Sequence, residues 1–77
     1  MDKQNTNRPM TRAERETQTA AERLAEQVEQ ALSAVAIPSN DWDELESRAD
    51  RIERAARDLS VALREMAQER RQRDEKR

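Results

Sequence analysis

The sequence predicts an all-α protein: an antiparallel two-helix hairpin that dimerises into a four-helix bundle. Three observations carry that reading. From Trp42 to Met66 an apolar residue recurs in steps of three and four, at Trp42, Leu45, Ala49, Ile52, Ala56, Leu59, Leu63 and Met66. This is the period of one helix face, not the alternation of a strand. A second stripe runs through Ala21, Leu24, Val28, Ala31 and Val35, widened on one flank by Ala25 and Leu32. Between the two stripes lies IPSND at 37–41, a break of the length that commonly joins antiparallel neighbours.

Each element follows in chain order. Residues 1–10, MDKQNTNRPM, carry no apolar period and read as a flexible tail. TRAE at 11–14 has the form of a capping box, in which Thr11 accepts from the Glu14 amide and the Glu14 carboxylate reaches back, so helix 1 is expected over 11–37. Pro38 lacks an amide hydrogen and biases Ile37 out of the helical region, which ends the helix. A turn is expected over 38–41. Asp41, with Glu44 three residues on, is the preferred N-cap of helix 2.

The packed part of helix 2 is expected over 42–68, because the apolar stripe stops at Met66 and the next seam positions are Arg70 and Arg73. Residues 69–77 then form a charged, Arg-rich extension or frayed end. Asp43, Glu44 and Glu46 near the start of helix 2 and Arg70, Arg71 and Arg73 near its end suit the two poles of its macrodipole.

Composition limits what such a chain can do. Of its 77 residues, 14 are Ile, Leu, Val, Met or Trp and 12 are Ala. Burial of each large side chain returns ~1.5–3 kcal/mol, against ~1–2 kcal/mol of backbone entropy for every ordered residue. A lone hairpin should therefore be marginal, and the stripes call for association. In helix 2 one seam row reads Trp42, Ala49, Ala56, Leu63 and the other Leu45, Ile52, Leu59, Met66, with Ala55 and Ala62 extending the small side. A parallel zipper prefers β-branched residues where this chain has Ala, so antiparallel packing is the better fit. Helix 1 is expected on one flank of helix 2 and a second copy on the other. The self-association residues so named are Leu24, Val28, Leu32, Val35, Trp42, Leu45, Ile52, Leu59, Leu63 and Met66.

Several classes of function drop out. The chain has no Cys and no His, which removes disulfides, thiol nucleophiles, imidazole bases and the usual zinc sites. Carboxylates are plentiful, but no Gly-rich phosphate loop or concave pocket is expected to accompany them. Neither an enzyme, a metal, a cofactor nor a small-molecule ligand is expected. The polar opening and the absence of a long apolar run argue against a signal peptide or a membrane span, so the expected compartment is cytoplasmic. A net charge of −2 provides no global field toward nucleic acid or anionic lipid.

The remaining candidates are contact surfaces. Trp42, in seam register where the turn enters helix 2, is expected to plug that end of the hairpin; the alternative is an anchor for a partner. Arg48, Arg51, Arg54 and Arg57 climb in steps of three, each rotating about 60° around the helix, so they form no stripe that could track a phosphate backbone. Glu44, Asp50 and Glu53 precede Arg48, Arg54 and Arg57 by four residues, the favourable order for helix pairs. The tail ERRQRDEKR, with five positive and three negative charges, is the better basic surface.

The expected function is a small interaction protein that self-associates and binds a protein partner as an accessory or regulatory factor, touching it through Ile37, Trp42, Arg70, Arg71 or Arg73. The alternative is a nucleic-acid-associated protein acting through the Arg-rich C-terminal segment. The general shape resembles the small helical-hairpin dimers used as plasmid and phage regulators, a resemblance of architecture that carries no motif.

Overall fold

The computed structural model describes residues 9–37 and 41–75, and contains two helices packed against each other: α1, Arg12–Ala36, and α2, Trp42–Glu75. Residues 1–8 of the tail expected over 1–10, the turn positions 38–40 and the last two residues lie outside the described part. No strand occurs among the described residues.

Local chemistry sets the helix ends. Thr11 has extended backbone (φ −73°, ψ 168°) and caps α1. The Glu14 amide donates to Thr11 Oγ1 at 3.1 Å, and the Thr11 amide donates to Glu14 Oε1 at 3.0 Å, a reciprocal pair that satisfies two orphan donors. At the other end Ile37 leaves the helix (φ −103°, ψ 112°), as a residue before proline must, and its amide still donates to the Ser33 carbonyl. Asp41 caps α2 through Oδ1, which accepts from the Glu44 amide at 3.1 Å, and its carbonyl accepts from the Leu45 amide. α2 continues helical as far as Glu75.

Cross-helix hydrogen bonds show the antiparallel arrangement directly. The start of α1 meets the end of α2 where the Thr11 hydroxyl donates to Glu69 Oε1, and the end of α1 meets the start of α2 where Arg48 donates to Gln30 Oε1, both at 2.8 Å. We call the end at Ile37 and Asp41 the connected end and the end at Thr11 and Glu69 the open end.

Half of the residues in the interhelical seam are small, most of them on α1. α1 turns Ala13, Thr17, Ala20, Leu24, Gln27, Ala31 and Ala34 inward, and α2 answers with Arg48, Ile52, Ala55, Leu59, Ala62, Met66 and Glu69. Both sets step by three and four, the spacing of a continuous helical seam. Only Ala20 and Ala62 are buried among the described residues, at 8% and 5% exposure. The two rows expected of α2 divide between the seam and the surface. Ile52, Leu59 and Met66 do turn inward, but their neighbouring row is Arg48, Ala55, Ala62 and Glu69, while Trp42, Leu45, Ala49 and Leu63 are exposed. Alanine favours this choice: at Ala20 and Ala62 a single methyl lets the backbones approach closely, so the row of Ala55 and Ala62 turns inward and the row of Trp42 and Leu63 turns out.

Candidate functional site: an open apolar face

The rotation that places small residues in the seam leaves two unlike broad faces. The Cα trace is 13 Å thick in its thinnest direction, a single layer of helices, so neither face is covered by the described residues.

One face is apolar. α1 contributes Ala21, Val28 and Val35, with Leu24 and Ala31 at its inner edge and Leu32 on its outer shoulder. α2 contributes Trp42, Ala49, Ala56 and Leu63, with Leu45, Ile52, Leu59 and Met66 at its inner edge. Helical periodicity brings these onto one side because each lies one position beyond a seam residue, and antiparallel helices rotate such positions to the same side. A shallow groove on this face near the connected end is lined by Ala31, Ala34, Val35, Leu45, Ala49 and Ile52, with Arg48 at its margin. The large residues here are strongly exposed: Val35 at 84%, Trp42 at 69%, Leu32 at 66%, and Leu45, Val28 and Leu63 each near half.

The opposite face is charged. Its groove runs past Arg15, Glu16, Thr19, Arg23, Asp58, Val61 and Glu65, and continues past Glu26, Arg51 and Arg54. Val61, 49% exposed, is the one large apolar residue lining this groove, a scattered exposure that needs no explanation.

Polar clasps close both ends of the seam. At the connected end Arg48, whose side chain is only 17% exposed, reaches Glu44 Oε2 and Gln30 Oε1, each at 2.8 Å. At the open end Arg70 Nη2 lies 3.3 Å from Glu14 Oε2, and Arg73 lies 3.7 Å from Glu69. The seam between the clasps is imperfect. Thr17 Oγ1, Gln27 Oε1 and Arg48 Nε are shielded from solvent without a hydrogen-bond partner, and an unmet buried polar atom costs ~1–3 kcal/mol.

The expected site residues are distributed as follows. Val28, Leu32, Val35, Leu45 and Leu63 stand on or beside the open face, and Leu24, Ile52, Leu59 and Met66 straddle its boundary with the seam. Trp42, expected to plug this end of the hairpin, stands out from the first turn of α2 at 69% exposure. Ile37 is 62% exposed at the connected end. Arg70 and Arg73 are engaged within the chain, and Arg71 is exposed. Past Gln68, where a charged extension is expected, α2 stays helical to Glu75, and Glu69 and Arg70 still bond to α1. Sequence reasoning missed Arg48, Gln27 and Glu69 as seam residues. The recoverable signal was the heptad row that Ala55 and Ala62 define for Arg48 and Glu69, and the row that Ala20 and Ala34 define for Gln27.

Among the described residues no group of three or more Asp or Glu is placed to hold a metal ion, and no helix is long and apolar enough to cross a membrane. No family model matches the chain, and no curated protein or solved structure matches it.

Proposed function

We propose that the protein is a small non-enzymatic interaction protein that self-associates through its open apolar face into a four-helix bundle, and in that form serves a protein partner as an accessory or regulatory factor. The observation that carries this reading is the row Val28, Val35, Trp42, Leu45 and Leu63, five large apolar residues exposed together on one side of a one-layer hairpin.

The magnitudes favour association. With Leu32 the set numbers six and averages somewhat more than half exposed. At ~1.5–3 kcal/mol for complete burial of each side chain, roughly 5–10 kcal/mol per chain is unrealised in the monomer. That equals the whole stability of many small domains, ~5–15 kcal/mol. The face has the size an interface requires: about 30 Å along the helices at 1.5 Å per residue and about 20 Å across two helices. Its projected area of roughly 600 Å² approaches the ~800 Å² per partner of a standard interface before side-chain relief is counted. A second copy covers such a face with an equally apolar one, which is the construction of a four-helix bundle.

Thermal unfolding followed by far-UV dichroism tests the reading. Folding coupled to association raises the melting temperature as protein concentration rises. A melting temperature that stays constant over a hundredfold range of concentration contradicts it. The class of the further partner is separated by salt: affinity for nucleic acid falls steeply with ionic strength through counterion release, whereas an apolar protein contact changes little.

A further inference from the structure

We infer that two copies join face to face with their connected ends pointing in opposite directions, around a two-fold axis that passes beside Ala56. The inference rests on the dimer proposed above and specifies its geometry. Two arrangements bring the apolar faces together: connected ends at the same end of the bundle, which stacks α1 on the second copy's α2, or at opposite ends, which stacks α1 on α1 and α2 on α2.

Side-chain size distinguishes them. In α1 every large aliphatic residue lies in the second half, at Leu24, Val28, Leu32 and Val35, with Ile37 just beyond it, and the stretch from Arg12 to Arg23 has none. Connected ends together would stack large on large at one end and leave α1's small residues to fill the other, a wedge that cannot keep uniform packing density. Reversal removes the wedge. Val28 then meets Ala21 of the partner subunit, Ala49 meets Leu63 of the partner subunit, and Ile52 meets Leu59 of the partner subunit. Ala56 meets its own copy at the axis, and Trp42 lies over Arg70 of the partner subunit, a favourable pairing of an aromatic face with a guanidinium.

An independent observation fixes the same register. The inner-edge row of α2, Leu45, Ile52, Leu59 and Met66, is symmetric in size about a point beside Ala56, and large in α1 answers to small about a point between Leu24 and Ala25. The cross-helix bonds Thr11–Glu69 and Gln30–Arg48 place these two points at the same height in the hairpin. One two-fold axis can therefore serve both helices at once.

Charge points the same way. From Leu24 to Ser47 the sequence carries Glu26, Glu29, Asp41, Asp43, Glu44 and Glu46 and no basic residue. The open end balances its charges, with Arg12, Arg15, Arg64, Arg70, Arg71 and Arg73 set among acids. Connected ends together would crowd two acidic runs, whereas reversal sets each beside the arginines of the other copy.

The chain has no cysteine, so single-cysteine variants report without interference. Ala56→Cys in the full chain should form a covalent dimer in the absence of reductant, because only reversal brings the two copies of position 56 within the ~4.4–6.8 Å between Cα atoms that a disulfide spans. As a second measurement, spin labels on Asp43→Cys should lie about 40 Å apart along the bundle, at 1.5 Å per residue on each side of the axis. A dimeric Asp43→Cys protein with labels within about 25 Å overturns the orientation and leaves the dimer standing. Sedimentation as a monomer at all concentrations overturns the dimer and the orientation with it.

Discussion

Thr11 and Glu69, 58 residues apart in the chain, share a 2.8 Å hydrogen bond that closes the open end of the hairpin. Thr11 caps α1 through the same side-chain oxygen that donates to Glu69, so one residue both starts a helix and ties it to its neighbour. Thr11→Val removes both functions while keeping the shape, and should lower stability by about 1–2 kcal/mol. Thr11→Ser should retain most of it. Denaturant midpoints of the two variants check this, and equal midpoints would show that the bond contributes nothing.

The end of α2 follows from the same contact. Truncation after Arg73 should leave stability nearly unchanged, whereas truncation after Gln68 deletes Glu69 and Arg70, the partners of Thr11 and Glu14. The shorter chain should lose about 1 kcal/mol more, the scale of one partly shielded hydrogen bond with little added by an ion pair whose arginine is more than half exposed. Comparison of the two melting curves decides the matter.

The close approach of the helices rests on Ala20 and Ala62. Ala62→Leu should force the seam apart and cost about 1–3 kcal/mol. Val61→Leu, one residue away on the charged face, should cost less than about 0.5 kcal/mol. If the two variants melt alike, the seam is not where the structure places it.

Arg48 tests the connected end. Arg48→Ala removes the bonds to Gln30 and Glu44 together with the packing of its stem, and should cost about 1–2 kcal/mol. Arg48→Met restores the stem alone and should recover about half, with urea unfolding as the readout.

Much of this architecture is legible in the sequence, for reasons that also explain what is not. TRAE, Asp41 and Pro38 mark helix ends by local chemistry, and local chemistry survives folding unchanged. The apolar stripes identify the helices and their number. They do not determine which row turns inward, because Ala occurs in both candidate rows of α2, at Ala49 and Ala56 in one and at Ala55 and Ala62 in the other, and a methyl group suits a seam and a surface equally. The packing past Met66 was hidden for a different reason. Thr11, Glu14, Glu69 and Arg70 join the helices through polar contacts, which leave no hydrophobic period to read. Trp42 shows the limit of reasoning from burial tendency, since its register in the stripe is correct and the stripe itself faces outward.

The central claim is that the open apolar face is covered by a second copy, and sedimentation equilibrium tests it most directly. Three proteins should be compared over a range of micromolar concentrations: the wild type, Leu63→Asp on the open face and Val61→Asp on the charged face. The account predicts twice the 9.0 kDa chain mass for the wild type and for Val61→Asp. For Leu63→Asp it predicts a monomer, because an unpaired carboxylate would be carried into the interface. A wild type that stays at the mass of one chain throughout would contradict it, as would a Leu63→Asp variant that dimerises as tightly as the wild type.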